Sequence, residues 1–486
     1  MVTVLHVGGL FAGGVDRHVR DIVHASSRGH LIWHAGQSAD VIEEPREGRF
    51  HALDAAAPGA DREALASWLR ARGVGLVHLH SSERAARARA ALACEVLGAP
   101  RVTTLHDILF LRPDAFEAAQ PEVPDAPWLA QVAAALRQSR AVIAPSEYIA
   151  ALAMRHVPGM AVEVVPNGSP PVRASPAAAH PAFLAARPAC VVAVLGAIGP
   201  HKGARLVEEL AAQLEGSDIA IVVIGYLDRH LLPGWMVPGR VFVHGAFDPE
   251  DAPALLHAYG TQLVLFPGAV PESFGYALSD AWLAGVPALV PPVGALGERV
   301  ALHGGGWLLP ASFDARVVAA ELRSLLGGAR EGERSRVQSE LARPDPARVP
   351  LLETMTRTLD ALYMRFGMAP DGTGDEAAIG RLLAANLDGR AFRKELIRLA
   401  GELAQTQAAL DDTLARARAF ETEARAWIDK LEDDVKSVQG ELATSATEVR
   451  RQGQEIVQLQ IHKDAFDLLP QLLRKLLLKK ILNARR

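Results

Sequence analysis

The sequence predicts an α/β protein built from two successive doubly wound units facing a cleft, with a helical extension after them. Three observations predict it. Short apolar runs alternate with amphipathic stretches through roughly the first 180 residues. The same alternation restarts after a Pro/Ala-rich stretch from Pro166 to Pro188. From about Phe392 to Leu459 there is no proline, and apolar residues recur at heptad spacing. A chain of 486 residues has room for about three units of roughly 150 residues. The expected segments are residues 1–178, 186–348, a returning helix over 349–366, a coiled coil over 376–463 and a basic tail over 466–486.

In the first unit, Val2–Val7, His30–Ala35, Gly75–His80, Arg101–Leu105 and Arg140–Ala144 read as strands. Arg62–Arg72, Glu83–Leu97 and Trp128–Gln138 read as helices between some of them. Strands apolar on both faces and separated by helices indicate a parallel sheet covered on both sides. In the second unit the strands are Cys190–Leu195, Ile219–Ile224, Arg240–Val243 and Gln262–Phe266. Its helices are Leu206–Leu214, Pro253–Tyr259 and Tyr276–Ala284. Ligands of such units sit against the carboxyl ends of the strands. Leu351–Phe366 reads as one more amphipathic helix, and Gly367–Gly374 as a flexible linker.

In the rod, Leu396, Leu403, Leu410, Ala417, Ala424 and Leu431 keep one heptad register, and Val435, Leu442, Val449 and Ile456 keep another, a stutter apart. A coiled-coil homo-oligomer is favoured over a lone solvated helix. The segment 468–486 alternates leucines with Arg474, Lys475, Lys479, Lys480, Arg485 and Arg486 and has no acid after Asp467. It suits an anionic membrane surface or packing on protein about equally.

Composition excludes several classes. With 51 basic and 56 acidic residues the chain is not a general nucleic-acid binder. Cys94 and Cys190 cannot form a disulfide framework and fit a reduced, cytoplasmic setting. Met1–Gly9 has no secretory pattern, and no uncharged apolar run approaches 20 residues. The basic residues divide unevenly: of 8 lysines, Lys202 alone precedes Lys394, while arginines number 43.

Several short motifs can carry chemistry. Gly13-Gly14 follows the first strand and opens a helix, either as a tight turn or as an anion site. Histidines end two strand runs, at His78-Leu79-His80 and at His106-Asp107, where they can hold hydroxyls or move protons. No HExxH, CxxC or tight His/Asp cluster marks a metal site in the linear sequence. Ser146 reads as a helix N-cap. In the second unit Gly196-Ala197-Ile198-Gly199-Pro200-His201-Lys202-Gly203 leads into a helix, a favourable diphosphate site with one compact cation. A later loop carries Glu272, Phe274 and Gly275 and opens the helix bearing Asp280. Two carboxylates across that junction suit two sets of sugar hydroxyls.

These residues resemble the retaining glycosyltransferases of family 4, the group 1 set, whose fold is GT-B: two Rossmann-like domains facing a cleft. The resemblance covers roughly Val2 to Phe366. It rests on Gly13-Gly14-Val15-Asp16-Arg17-His18, His106-Asp107, Pro145-Ser146, Pro166-Asn167-Gly168, Lys202-Gly203, and Glu272 through Arg299. It implies a donor nucleotide-diphosphate sugar on the second domain and a glycan or lipid-linked acceptor on the first. It implies that Lys202 neutralises the diphosphate, Glu272 holds sugar hydroxyls, Asp280 holds the ribose, and amides near Phe274 and Gly275 touch the phosphates or the sugar. His106 would meet the donor sugar, and the Gly13-Gly14 loop would close over the site. No metal or other cofactor is expected, since a lysine and helix dipoles replace it. The implied role is bacterial surface polysaccharide synthesis, in the cytoplasm or at the inner face of the membrane.

Three departures from the family stand out. Asp280 occupies the second acidic place of a Glu-x7-Glu pattern, Ala197 stands where an arginine is common, and the rod and tail lie outside the family core. They leave a second reading open: a non-catalytic assembly protein built on a degenerate transferase domain.

Overall fold

The computed structural model describes residues 2–388, apart from 10–12, 37–38, 55–56, 187 and 370–371, together with Lys463. The heptad segment from 389 and the tail over 466–486 therefore lie outside the described residues.

The first unit runs β1 (Thr3–Gly8), α1 (Gly13–Ala25), β2 (His30–His34), β3 (Ala39–Glu44), β4 (Arg49–Asp54), α2 (Ala57–Ala60) and α3 (Arg62–Ala71). It continues β5 (Val74–Leu79), α4 (Arg84–Leu97), β6 (Arg101–Thr104), α5 (Ala126–Arg137), β7 (Ala141–Ala144), α6 (Glu147–His156) and β8 (Glu163–Val164). The strands line up as β4-β3-β2-β1-β5-β6-β7-β8. They are parallel from β2 to β8, with β3 and β4 added antiparallel. Every residue of β5, β6 and β7 is buried, as expected for strands covered on both faces. Side chains of Asp61, Asp125 and Ser146 cap α3, α5 and α6 by accepting from backbone N–H groups.

The second unit runs α7 (Pro181–Ala186), β9 (Cys190–Ile198), a 3-10 turn at Pro200–Lys202, α8 (Ala204–Gln213), β10 (Ile219–Leu227), β11 (Gly234–Val237), β12 (Val241–Gly245) and α9 (Ala252–Ala258). Then come β13 (Leu263–Leu265), α10 (Tyr276–Leu283), β14 (Ala288–Val290), α11 (Gly294–His303), β15 (Gly306–Leu308), α12 (Ala315–Leu326) and α13 (Glu331–Leu341). Strand order is β11-β12-β10-β9-β13-β14-β15, parallel except for the edge strand β11. Aliphatic clusters cover both faces, with Val192, Val194, Ile221, Val223 and Leu265 on one side and Val191, Ala193, Val222 and Phe242 on the other.

α14 (Leu352–Phe366) returns to the first unit. Met355, Leu359, Leu362 and Tyr363 bury against Val4, Leu76, Val102 and Ile143. Its entry is tight: the Leu352 N–H donates to the Ser169 carbonyl at 3.0 Å, the Ser169 N–H donates to the Pro350 carbonyl at 2.8 Å, and a Cβ on Gly168 would lie 2.7 Å from the Leu351 carbonyl oxygen.

Residues 372–388 differ from the expectation. Gly367–Gly374 does not behave as a free linker, because the Met368 N–H donates to the Gly75 carbonyl at 3.0 Å and the Asp375 N–H donates to Ser67 Oγ at 2.9 Å. The first thirteen residues of the expected coiled coil, 376–388, form a 3-10 turn (Glu376–Arg381) and β16 (Leu383–Asp388). β16 pairs antiparallel with β4 and makes the first sheet nine-stranded. Burial explains the change: Ala378, Ile379 and Leu382 join the core beside Leu65, Trp68 and Leu69 of α3. An apolar triplet that can be buried locally does not wait for a partner helix.

Candidate functional site

The second unit builds its side of the site from loops locked backbone to backbone. Gly203 has φ +85 and sits against the Pro267 carbonyl, while a Cβ on Gly268 would meet Lys202 Cα at 3.1 Å. Gly294, at φ +67, lies so close to Glu272 that a Cβ would stand 2.9 Å from its backbone nitrogen and oxygen. The Ala295 N–H donates to the Glu272 carbonyl at 2.8 Å. These contacts bring Lys202 Nζ to 3.3 Å from Glu272 Oε1, both side chains half-exposed. α8 and α10 begin just behind them, each entered through a left-handed glycine, Gly203 or Gly275, with no side chain accepting from the first turn. The N–H groups at such a start have no intrahelical partner and carry partial positive charge.

Phe274 is buried, and its ring stacks under Arg299, whose guanidinium carbon is 4.0 Å from the ring centroid. Arg299 donates to the carbonyls of Phe274, Gly275 and Arg348 and to Ser279 Oγ. Burial pulls its pKa down to about 9, with Asp280 and Glu298 opposing. One buried guanidinium thus fixes the turn that opens α10.

Asp280 lies on α10, as the sequence reading has it. Its carboxylate is buried and accepts two hydrogen bonds from Arg17 of the first unit, at 2.7 and 2.9 Å. Burial pushes its pKa up, Arg17 opposes this, and the two-point geometry fits an ion pair. Arg17 also lies over the Tyr276 ring, 4.4 Å from the centroid. Gly14 faces the same ring, where a Cβ would stand 3.5 Å from Cδ2. The starts of α1 and α10 therefore meet. Two more hydrogen bonds join the units here: Ser146 Oγ donates to the Ser273 carbonyl at 2.7 Å, and Ser273 Oγ donates to the His106 carbonyl. Phe116 stacks on His201, with centroids 5.0 Å apart.

His106 ends a run of imidazoles that crosses the first sheet. Its Nε2 lies 2.9 Å from His80 Nδ1; His80 Nε2 lies 2.9 Å from His6 Nδ1; His6 Nε2 lies 2.9 Å from His30 Nδ1. His78 bonds to Tyr363 Oη of α14 and to Thr104 Oγ1, both at 2.8 Å. The strand order explains the assembly, because β1 lies between β2 and β5 and pairs His6 beside His78. Burial, followed by neighbouring histidine charge, holds His6, His78, His80 and His106 well below the usual imidazole range. Burial takes His18 of α1 to about 4, with Asn167 opposing, and takes His30 to about 3, with Arg46 and Arg28 adding to the drop. The rings are neutral at pH 7, each able to donate at one nitrogen and accept at the other.

Of the residues the sequence singled out, the fold brings Lys202, Glu272, Phe274 and Gly275 together on the second unit. Gly13, Gly14 and His106 come up from the first. Asp280 is turned into the ion pair with Arg17. Sequence reasoning gave no role of their own to Arg17, Arg299, His6 and His30. With 43 arginines in the chain, no single one is conspicuous, and His6 and His30 become neighbours only through strand order. The Ser146 N-cap is present, with a second bond across the cleft.

Comparison with known proteins agrees with this architecture. Residues 12–173 match the glycosyltransferase family 4 model, and residues 181–341 match the model of glycosyl transferases group 1. HepE of Anabaena, solved in complex with UDP and glucose, is 16% identical over 75% of this chain and 100% of its own, with a TM-score of 0.54. Sucrose-phosphate synthase of Thermosynechococcus elongatus is 16% identical over 75% of this chain and 99% of its own, at 0.55. A trehalose-6-phosphate synthase is 15% identical over 76% and 100%, at 0.51. These likenesses show the fold. No curated protein sequence matches. Two family models in tandem on two facing Rossmann-like units show that the chain belongs to the group 1 glycosyltransferases, of GT-B type.

Proposed function

We propose that this transferase moves a sugar, with retention of anomeric configuration, from a nucleotide-diphosphate donor to a glycan or lipid-linked acceptor in bacterial surface polysaccharide synthesis. The observation that carries the donor class is Lys202 paired with Glu272 between the open starts of α8 and α10. Lys202 would swing from Glu272 onto the diphosphate and neutralise it, without a metal ion there. Glu272 would then take sugar hydroxyls as an acceptor of hydrogen bonds. His106 would donate to the same sugar from the opposite wall, and the Gly13-Gly14 loop would cover the phosphates. In the step itself the bond from the anomeric carbon to the phosphate oxygen breaks. A bond to the acceptor oxygen forms on the same face, and the acceptor proton passes to the leaving phosphate. Phosphate-bearing and hydroxyl-bearing ligands suit this wall of cations, amides and carboxylate.

HepE has been solved with UDP and glucose, and trehalose-6-phosphate synthase has been studied for transfer with retention; both support this reading. The ribose role of Asp280 requires Arg17 to release it. A second reading, assembly without catalysis, is favoured by that same sequestered Asp280 and by Ala197.

A panel of nucleotide sugars, with hydrolysis and transfer both measured, decides between them. Lys202→Ala and Glu272→Ala are each expected to lower turnover about 100-fold or more with unchanged folding. Turnover unchanged from the wild type in both variants overturns the site. Absence of any nucleotide-sugar binding supports the assembly reading. For the tail, loss of liposome flotation on removing residues 468–486 supports a membrane-surface position, and unchanged flotation removes it. Among the described residues no helix is long and apolar enough to cross a membrane.

A further inference from the structure

We infer that His18, His80 and His106 form a binding site for one divalent transition-metal cation of the zinc class, on the first unit. Each of the three imidazoles brings one ring nitrogen within 4.8 Å of the other two. They come from α1 and from the ends of β5 and β6, so the sheet and its covering helix hold the set in place.

Three observations point to a ligand. First, both ring nitrogens of His18 are buried, and among the described residues only the buried Asn167 side chain bonds there. A buried ring nitrogen left without a bond is costly, and coordination removes that cost. Second, all three donors are imidazole nitrogens, a donor type that suits transition-metal cations. Third, His80 carries an outer support typical of metal-bound histidine, because its Nε2 meets His6 Nδ1 and His6 Nε2 meets His30 Nδ1.

The proton count closes without release. A cation between His80 and His106 replaces the single N–H···N bond that joins His80 Nδ1 to His106 Nε2. His106 then keeps its proton on Nδ1. His80 keeps its proton on Nε2 and donates to His6, and His6 donates to His30. That state is reached from either starting direction of the chain by tautomeric shifts alone. Bonds of about 2.0–2.1 Å in tetrahedral geometry place ligand nitrogens roughly 3.3 Å apart, so the 2.9 Å His80–His106 pair opens only slightly. Coordination at Nε2 also fixes the proton at the far nitrogen of His106, a ring the proposed reaction places against the donor sugar. The site itself stands independently of that reaction.

The test uses the full-length chain, freed of metal by chelator and titrated with Co²⁺ and with Zn²⁺ in the absence of any nucleotide sugar. One cobalt ion per chain is expected, with visible bands of four-coordinate cobalt that Zn²⁺ abolishes. X-ray absorption on the wild-type zinc form should show about three imidazole nitrogens at roughly 2.0–2.1 Å. His18→Ala should abolish the bands, His6→Gln should weaken affinity about 10- to 100-fold, and His230→Ala, exposed and outside the cluster, should change nothing. Six-coordinate cobalt alone, no binding, or full binding by folded His18→Ala overturns the site. The absorption measurement needs no variant, so a folding failure in His18→Ala does not rescue the proposal. Loss of transferase activity with intact cobalt binding would sink the proposed reaction and leave the metal site standing.

Discussion

The two α/β units share a plan and differ in what they bury. In the first, the sheet and its helices enclose His6, His18, His30, His51, His78 and His80, with Asp40, Glu43 and Glu44 beside them. In the second, among the described residues, no histidine is buried, and the charges in its interior are Asp280, Arg299 and Arg348. The second unit has a hydrocarbon sheet core, and its buried charges lie beside the turn that opens α10. The first carries its polarity inside. On the proposed function, the second unit's wall brings fixed dipoles and one mobile cation to phosphates; the histidine-lined wall instead offers groups that can exchange protons. The pairing puts stiffness on the second unit and adaptable chemistry on the first.

Breaking the stiffness should give the largest effects. Arg299→Ala leaves the carbonyls of Phe274, Gly275 and Arg348 without their buried donor. It is expected to cost about 3–5 kcal/mol, as for other broken buried charge networks, read by urea unfolding. Arg299→Lys should recover only part of this, because one ammonium cannot reach four acceptors in a planar fork. A loss below about 1 kcal/mol would show that the α10 turn is held by something else. Gly203→Ala comes next. A Cβ there meets the Pro267 backbone, and φ +85 is unfavourable for any L side chain. A cost of about 2 kcal/mol and a clear fall in turnover are expected, because Lys202 sits on that turn.

The comparison also predicts where acid acts. A histidine whose folded pKa is depressed binds its proton more readily when unfolded. Its contribution is therefore intact above the ordinary value near 6.5 and is lost as pH falls toward the folded value. For His18 the window runs from 6.5 down to about 4, and for His30 down to about 3. Each pH unit inside the window weighs about 1.4 kcal/mol per group. Hydrogen exchange through that range should show the first sheet opening before the second. His18→Gln should move the onset to lower pH. Simultaneous opening of both sheets would erase the distinction between a polar and a dry interior.

Much of this contrast was readable beforehand, and the unread part has a common cause. The dry strands announce themselves: Ile219–Ile224 is an unbroken apolar run, and β10 buries it completely. The β3–β4 hairpin gives no such signal, because Glu43 and Glu44 are acidic yet buried. Glu43 is held by Arg20 and His34; Glu44 is held by His51 and Arg72. Burial alone would raise both acids, but these partners take each down to about 2. A strand whose polar residues are satisfied by distant partners looks like a loop until those partners are known. The same holds for the site. Lys202 is visible as one lysine in an arginine-rich body, whereas the Arg17–Asp280 pair spans 263 positions and leaves no local trace. The 376–388 turn and strand escape notice because three buried apolar residues, Ala378, Ile379 and Leu382, are too few to show a period.

Smaller effects belong to the seam between the units. Ser146→Ala removes the N-cap of α6 and the bond to the Ser273 carbonyl together. About 1 kcal/mol is expected, with a modest rise in the Michaelis constant if that bond helps hold the cleft closed. An unchanged constant with the same stability loss would make it a helix cap alone.

Gly14→Ala sharpens the comparison from the other side. Gly14 is not in the left-handed region, and its Cβ would only touch the Tyr276 ring at 3.5 Å. Its neighbour Gly13, at φ +56, has nothing within 4 Å of a Cβ. The first-unit loop therefore has space where Gly203 and Gly294 have none. Gly14→Ala should change stability by less than about 0.5 kcal/mol, in contrast to Gly203→Ala. Its effect should appear only when the loop closes on ligand, as weaker nucleotide-sugar binding with unchanged thermal unfolding of the free protein. If Gly14→Ala instead destabilises the free chain as strongly as Gly203→Ala, the first-unit loop is as rigid as the second, and the division into a stiff wall and an adaptable one fails at the place where the two walls meet.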